Sequence, residues 1–240
     1  MTRCAQFSTS LFCVVVLASR VMSPQSSALE SDAAEVRLHI AHSESERSRV
    51  VPAVIWLESL PGIPAPPFSP NRLYTLLQKN RMFVPHLLVI PVNAVVQFPN
   101  ADPFFHNVFS LFDGKRFDLG LYEAGSTKSV TFSREGISYI FCNIHPEMSA
   151  VVIALSTPLY AVADASSSFI LRSVPPGDYR LHIWIEGVQP ALLEQETRHV
   201  HISSGTVDLG QIAVPISRTG TKAHANKFGE PYTPTPQSIY

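Results

Sequence analysis

Cysteine is scarce in this 240-residue chain, and charge is low. Three cysteines occur, and two of them, Cys4 and Cys13, lie within the first 28 residues. Charged residues make up 15% of the chain, the formal net charge is −1, and no cluster of lysine and arginine stands out. A protein whose main partner is nucleic acid would carry a basic surface, so no nucleic-acid partner is expected. The hydrophobic share of 45% is ample for a buried core.

Glycine is also sparse, with 11 residues against 20 prolines, which favours short strands joined by stiff turns over long helices. Short runs rich in Val, Ile, Phe and Tyr recur between Pro, Gly, Asn and Asp, as is typical of β-strands. Only residues 73–79 resemble a helical turn or two. The sequence therefore predicts an all-β sandwich. The predicted strands are 35–40, 53–57, 87–92, 94–98, 129–132, 138–142, 150–155, 169–171, 179–184, 200–202 and 211–214.

The first 28 residues have the layout of a secretory signal peptide. Arg3 gives a positive start, an apolar stretch follows at residues 11–18, and Ser26 and Ala28 form a −3/−1 cleavage pair. The apolar stretch is too short to span a bilayer. We therefore expect a periplasmic or secreted protein with no membrane span.

Removal of residues 1–28 leaves one cysteine, Cys142, and two methionines, Met82 and Met148. A single cysteine cannot form an internal disulfide. An unpaired thiol in an oxidising compartment is a liability unless it has a role. Cys142 is therefore the first candidate for a functional residue.

Cys142 belongs to a compact group of residues that can bind a metal. The segment 139–150, YIFCNIHPEMSA, arranges Cys142, His145 and Met148 as C-x2-H-x2-M between two predicted strands, and His106 lies just after another strand. A thiolate, two imidazoles and a thioether are the ligands of a blue-copper electron-transfer site. Each residue alone is more often a core residue, but together they favour a metal site. A structural zinc site fits less well, because Met is a poor zinc ligand.

Several neighbours fit such a site. The phenylalanines near it would exclude water, and two asparagines could hold the loops by hydrogen bonds. Pro146 would stiffen the loop that carries His145. Core packing explains the phenylalanines equally well. These neighbours are Phe104, Phe105, Phe109, Phe141, Asn107 and Asn143.

The ligand pattern resembles the cupredoxin family, which includes plastocyanin, pseudoazurin and amicyanin. Asn107 after the first His and the short closing loop carry the resemblance, and the loop is most similar to that of amicyanin. Residues 98–110, 117–120 and 141–150 also resemble exported bacterial plastocyanin-like proteins, some labelled methylamine-utilisation proteins. The resemblance implies a cupredoxin Greek-key β-sandwich over residues 29–156. It also implies one type 1 copper ion bound by His106, Cys142, His145 and Met148, with His145 as the electron port.

A second module is expected from residue 157. The segment 169–184 is predicted as strand, Pro-Pro-Gly turn and strand, forming a hairpin. It resembles the carboxypeptidase-regulatory-like β-sandwich, which implies a small structural or binding β-module over residues 157–216. Ser166, Ser167 and Ser168 stand where such modules often carry Asp and Gly. Residues 217–240 are predicted to form an extended polar tail.

The sequence thus predicts an exported type 1 copper protein that passes single electrons to a periplasmic redox protein and is not an enzyme. The alternative is a periplasmic copper-binding or copper-handling protein, or a β-sandwich interaction protein, without redox turnover. A third hypothesis is a cysteine hydrolase that uses Cys142 with a His as base. That hypothesis lacks an oxyanion-hole motif and leaves Met148 unexplained.

Overall fold

The computed structural model describes residues 33–41, 50–63, 66–111, 114–215 and 226–232, all within one compact unit that spans Asp32–Tyr240. The predicted signal peptide lies outside the described residues, as does most of the predicted tail. Across the described ranges, none of the helices combines the length and the apolar character that a membrane crossing requires.

The fold is all-β, as the sequence predicted, because strands dominate the described residues and one short helix accompanies them. The helix α1 spans Pro190–Glu196. The strands are β1 (Ala34–Ile40), β2 (Ala53–Ser59), β3 (Tyr74–Thr75), β4 (Leu77–Lys79), β5 (Met82–Val84), β6 (Leu87–Pro91), β7 (Val95–Pro99), β8 (His106–Ser110), β9 (Phe117–Tyr122), β10 (Thr127–Thr131), β11 (Gly136–Phe141), β12 (Ser149–Leu155), β13 (Tyr160–Val162), β14 (Ser168–Val174), β15 (Gly177–Ile185), β16 (Arg198–Ile202) and β17 (Gly205–Ile212).

The described strands form five sheets. A five-stranded sheet has the order β6-β12-β11-β8-β9 and carries the candidate site. Two further groups, from residues 74–131, are the sheet β10-β7-β3 and the hairpin β4-β5. The remaining two sheets have the orders β14-β1-β17 and β13-β2-β15-β16.

Strand β12 is buried on both faces and lies between two hydrophobic clusters. Val151 and Ile153 pack in the cluster shared with β1, β2 and β15. Val152 and Ala154 point the other way, into the cluster that contains Cys142. Successive side chains of a strand alternate between faces. A strand covered on both sides therefore needs a continuous apolar run, and that is what β12 has.

Strands β1 and β2 precede the candidate site in sequence but pair with strands that follow it. Strand β1 is antiparallel to β14 and parallel to β17. Strand β2 is antiparallel to β13 and β15. Both strands fall within residues 29–156, the predicted first domain. The sheets that contain them draw on both sides of residue 156, and the division of the chain into domains stays a prediction.

Residues 73–79 form two strands, so the expected helical turn is wrong. Tyr74 and Thr75 pair in parallel with β7. The side chain of Gln78 is fully buried, and its Nε2 donates to the carbonyl of Phe98 and to the hydroxyl of Tyr122. A helix would remove both the strand pairing and this buried hydrogen-bonded position. The helix α1, with Pro190 in its first turn and a buried Leu193, was not predicted.

The predicted hairpin over residues 169–184 is also wrong, because β14 and β15 lie in different sheets. Pro175 and Pro176 connect them and have no amide N–H for a hairpin ladder. The hydroxyl of Tyr179 donates to the carbonyl of Pro175 at 2.8 Å and fixes this corner. Gly177 has φ +155°, and a Cβ there would meet Ile63 Cδ1 at 2.6 Å. The chain therefore turns from one sheet into the next.

Candidate metal centre

His106 begins β8, a strand in which all five residues are buried. Its own side chain is 0% exposed, and its Nε2 atom lies 2.9 Å from Oδ2 of Asp102. An imidazole that donates from Nε2 to a carboxylate keeps a lone pair on Nδ1. This contact therefore presents the Nδ1 atom of His106 as the one available for a metal.

Asp102 is itself held in place by the hairpin β4–β5. Its carboxylate accepts hydrogen bonds from the amides of Asn80 at 2.6 Å and Arg81 at 3.0 Å. Both residues have φ 56° and form the two-residue turn of the hairpin, which has the dihedral pattern of type I′. Burial raises the pKa of the Asp102 carboxyl, but these hydrogen bonds and the one from His106 outweigh it, so the pKa lies below its ordinary value.

A seven-residue loop between β11 and β12 carries the other candidate ligands. Phe141 and Ser149 are opposite each other at the base of the loop. The amide of Cys142 donates to the carbonyl of Met148 at 3.2 Å, and the amide of Met148 donates to the carbonyl of His145 at 3.0 Å. These two bonds close the loop, so Cys142 and Met148 leave the sheet side by side and His145 lies at the tip.

The donor atoms of three predicted ligands converge. The Sγ atom of Cys142 lies 3.8 Å from Nδ1 of His106 and 3.6 Å from Nδ1 of His145. The three donor atoms all lie within 4.8 Å of one another. With metal–nitrogen bonds of about 2.0–2.1 Å and a metal–sulfur bond of about 2.3 Å, an angle of about 110–120° sets the donors roughly 3.6–3.8 Å apart. The spacing fits one shared ion.

Burial controls the protonation of the site. Burial raises the pKa of the Cys142 thiol, although the backbone amides of Asn107, Ile144 and His145 partly offset this by donating to the sulfur. Burial, followed by the nearby His106, lowers the pKa of His145. At neutral pH the metal-free site therefore holds Cys142 as a thiol and His145 as a neutral imidazole. Metal binding to the thiolate would release the thiol proton.

Met148 is fully buried in the same hydrophobic cluster as Cys142. The backbone hydrogen bonds of the loop hold its backbone beside that of Cys142. Its thioether as an axial ligand stays a prediction, as does the complete set of four metal ligands. The hydrophobic surroundings suit a thioether, because burial of this weak donor costs less free energy than burial of a charged or strongly polar ligand.

Phe104 is an aromatic neighbour that packs against both candidate histidine ligands. Its ring centroid lies 5.2 Å from that of His106 and 5.6 Å from that of His145. The guanidinium of Arg81 stacks over the same ring at 5.4 Å. Phe109 and Phe141 are buried and pack against each other at 5.9 Å. Phe105 is 56% exposed and so does not shield the site as expected.

Asn107 and Asn143, which follow the candidate ligands His106 and Cys142, form hydrogen bonds with other segments. Asn107 donates from Nδ2 to Oδ1 of Asp118 at 2.7 Å. Asn143 accepts, through Oδ1, a hydrogen bond from the amide of Lys227 at 2.9 Å. Pro146 lies exposed beside His145. Both asparagines therefore hold segments around the candidate ligands by hydrogen bonds, as the sequence suggested, through partners that the sequence did not identify.

Asp102, Asp118 and Arg81 contact the site or its neighbours and were not predicted from the sequence. Asp102 is the one that a pattern could have found, because it stands four residues before His106 in the short segment DPFFH. A carboxylate near a candidate ligand histidine is a common partner for its second ring nitrogen. The contacts of Asp118 and Arg81 depend on long-range folding and leave no local signal.

Several solved structures resemble part of the chain, at low overall similarity. A Cu-containing nitrite reductase from Thermus scotoductus SA-01 is 24% identical over 35% of this chain and 22% of its own length, with a TM-score of 0.34. A purple cupredoxin from Nitrosopumilus maritimus is 23% identical over 34% of this chain and 99% of its own, with a TM-score of 0.31. Amicyanin from Paracoccus versutus is 18% identical over 41% of this chain and 91% of its own, with a TM-score of 0.32.

The chain thus spans about a fifth of the length of that nitrite reductase. No family model matches the chain, and no curated protein matches it. Because the TM-scores are below 0.5, the donor atoms of the chain itself, and not these likenesses, support the function proposed below.

Proposed function

We propose that this chain is an exported type 1 copper protein that carries single electrons. The observation that carries the proposal is the convergence of Cys142 Sγ with the Nδ1 atoms of His106 and His145 at 3.8 and 3.6 Å. His106 and Cys142 are 0% exposed, so the two lie in a dry, low-dielectric position.

The residues favour copper over zinc. One thiolate, two imidazoles and an adjacent thioether at Met148 match the soft, three-plus-one ligand set of blue-copper sites. Structural zinc sites use four strong ligands and usually more than one thiolate. Copper bound there would supply one-electron chemistry by alternating between Cu(I) and Cu(II).

The chain contributes rigidity and orientation. His106 stands on a buried strand and is held by Asp102, while hydrogen bonds across the ligand loop fix Cys142 and Met148. A site held by the β-scaffold rearranges little when the charge of the ion changes, which favours electron transfer. His145 is half-buried, beside exposed Ile144, and is the proposed electron port to a periplasmic redox partner.

We propose no enzymatic activity. Cys142, His106 and Asp102 lie in a row that resembles a cysteine-hydrolase triad. However, the thiol is fully buried and burial raises its pKa. A nucleophilic cysteine needs the opposite, namely an accessible sulfur with a lowered pKa. The arrangement therefore suits a buried metal ligand better than a nucleophile.

The test is the visible absorption spectrum of the chain beginning at residue 29 after addition of Cu(II). This chain contains every described residue. We expect an intense blue thiolate-to-copper band that ascorbate removes and reoxidation restores. Cys142→Ser should lose the band, while Ser156→Ala, on an exposed residue, should keep it. Copper that binds without this band, or a band that does not respond to reduction, would favour copper handling without redox turnover.

A further inference from the structure

Residues 226–232, which we name the C-terminal strap, lie against the loop that carries Cys142 and His145. The amide of Lys227 donates to Oδ1 of Asn143 at 2.9 Å. The hydroxyl of Tyr232 donates to the carbonyl of Cys142 at 2.7 Å. The sequence analysis predicted an extended polar tail here. These contacts connect part of that tail to two consecutive residues of the ligand loop, one of them the candidate thiolate ligand.

The strap is a closed turn with its own hydrogen bonds. Oδ1 of Asn226 accepts from the amides of Phe228 at 2.9 Å and Glu230 at 3.0 Å. The amide of Asn226 donates to the carbonyl of Glu230 at 2.8 Å. Gly229 has φ +83°, a backbone conformation that glycine adopts without strain. The turn therefore presents Lys227 in a fixed geometry, at a smaller entropic cost than an unstructured tail would incur.

Lys227 also connects the strap to the strand beside His106. Its Nζ atom lies 2.8 Å from Oδ2 of Asp118, and the other carboxylate oxygen, Oδ1, accepts from Asn107 Nδ2 at 2.7 Å. Asn107 directly follows His106. Burial raises the pKa of Asp118, but the hydrogen bonds from Lys227, Gly120 and Asn107 outweigh it, so the carboxyl stays ionised at neutral pH.

These contacts join the two halves of the metal centre. One half is β8 with His106, reached through Asn107 and Asp118. The other half is the ligand loop, reached through Asn143 and the carbonyl of Cys142. Groups that contact ligands from outside fix their orientation, and loss of such groups weakens or distorts a metal site. Lys227 is the residue whose backbone and side chain contact both halves.

We propose that the C-terminal strap is a positioning element that locks the ligand loop against β8. It holds the Cys142 sulfur covered and aligned with the Nδ1 atoms of both histidines. This inference rests on the proposed function for its effect on copper. Its effect on the metal-free thiol does not depend on copper. Lys227 and Tyr232 are positioning residues, since their described contacts are with the neighbours and the backbone of the ligands.

The first experiment measures the reaction of the metal-free thiol with an aromatic disulfide reagent. Cys142 is the only cysteine in a chain that begins at residue 29. A chain ending at residue 225 lacks the strap, and a chain ending at residue 232 is the matched control that retains it. We expect the thiol in the shorter chain to react at least about tenfold faster. Without the strap, the loop can open locally without breaking the strap hydrogen bonds, so opening costs less free energy. Equal rates in the two chains would overturn the proposal.

Single substitutions at Lys227 and Tyr232 test the same contacts in the full-length strap, even if the shorter chain does not fold. Lys227→Ala removes the contact with Asp118, and Tyr232→Phe removes the contact with the Cys142 carbonyl while keeping the ring. Both should expose the thiol more often, and Lys227→Arg should restore the slow rate because it keeps a charge for Asp118. If the tail acted only by covering the loop, without the charged contact to Asp118, Lys227→Arg would not restore the slow thiol reaction. Wild-type rates in both Lys227→Ala and Tyr232→Phe would contradict the proposal.

The copper-loaded chains separate failure of this inference from failure of the proposed function. In Lys227→Ala and Tyr232→Phe we expect a shifted charge-transfer band and faster transfer of Cu(I) to a chelator, with Lys227→Arg near wild type. Thiol rates that differ as expected, with no blue band in any chain, would retain the strap and overturn the copper function. An identical blue band and identical copper release in all chains would retain the function and overturn the strap.

Discussion

The imidazole of His86 and the carboxylate of Glu186 lie 2.7 Å apart, between Nε2 and Oε1. His86 directly precedes β6, and Glu186 directly follows β15, so the pair joins the sheet with the candidate metal site to the sheet that contains β2. The Nδ1 atom of His86 also lies 3.0 Å from the carbonyl of Ser149, at the start of β12. Both side chains are partly buried. The pair therefore ties together segments one hundred residues apart.

The His86–Glu186 pair predicts a pH-dependent contribution to stability. The hydrogen bond to Glu186 raises the pKa of His86 above its ordinary value of 6.5 despite the opposing effect of burial. Because the folded-state pKa is the higher one, the contribution is fully present below pH 6.5 and is lost as pH rises through the raised pKa. Glu186→Gln should therefore lower the free energy of unfolding most at about pH 5.5–6 and progressively less above it.

Urea unfolding at a series of pH values measures this effect. Glu123→Gln, which changes an exposed glutamate, is the matched control and should give a difference that does not depend on pH in this range. A deficit of Glu186→Gln that stays constant as the pH rises from below 6.5 to alkaline values would show that protonation of His86 does not contribute.

Asp102→Asn should weaken metal binding without removing any proposed ligand. The asparagine leaves Nε2 of His106 without an anionic acceptor, so the ring is held less firmly in its orientation. Loss of such a carboxylate partner typically costs about 10–100-fold in metal affinity. Competition with a chelator of known affinity measures the loss. Asp208→Asn, an exposed aspartate that also accepts a backbone amide, should leave the affinity unchanged. Equal affinities of the two variants would refute an orienting role for Asp102.

Met148→Leu tests the axial thioether. Leucine has a similar volume and is apolar, so the buried position should remain packed and copper should stay bound by three ligands. The reduction potential should rise, because a weak donor to Cu(II) is lost. Voltammetry of the copper-loaded chain measures the change. Met82→Leu, on the other methionine after residue 28, is the control, since Met82 is 54% exposed. An unchanged potential in Met148→Leu would argue against axial ligation.

Ile153→Ala should destabilise the chain while leaving the spectrum of the metal site intact. Ile153 is fully buried in the cluster that β12 shares with β1, β2 and β15. Its loss leaves a cavity, and such changes cost about 2–5 kcal/mol. Cys142 and Met148 belong to the other cluster, so the absorption band should keep its position. Ile170→Ala, on a residue that is 40% exposed, should cost about 1 kcal/mol or less.

The all-β class was predictable because strand formation follows local patterns. In β1 the burial alternates along the strand, and in β12 the apolar run is continuous, so both are visible in the sequence. Local patterns gave wrong predictions at two places where long-range contacts determine the secondary structure or the strand pairing. Residues 73–79 form strands because β7 offers a pairing edge, and β14 and β15 separate because the Pro-Pro corner sends them into different sheets.

The candidate ligands were recognisable because three of them lie within seven residues of one loop. A short loop between paired strands leaves few places where its side chains can point. The convergence of His106 with Cys142 and His145, by contrast, is a tertiary result, because 36 residues separate His106 from Cys142. Whether all four residues bind one copper ion stays a prediction for the absorption experiment.

The sequence by itself determined the strand pattern, the lone cysteine after residue 28 and the C-x2-H-x2-M loop, all of which depend on near neighbours in the chain. Tertiary structure alone decided that Asp102 orients His106, that β1 and β2 pair with late strands, and that Lys227 reaches Asn143 and Asp118. Lys227 lies 84 positions after Asn143 and 109 positions after Asp118 in the chain. Such contacts form because burial and backbone pairing bring distant segments together, and neither leaves a periodic signal in the residues involved.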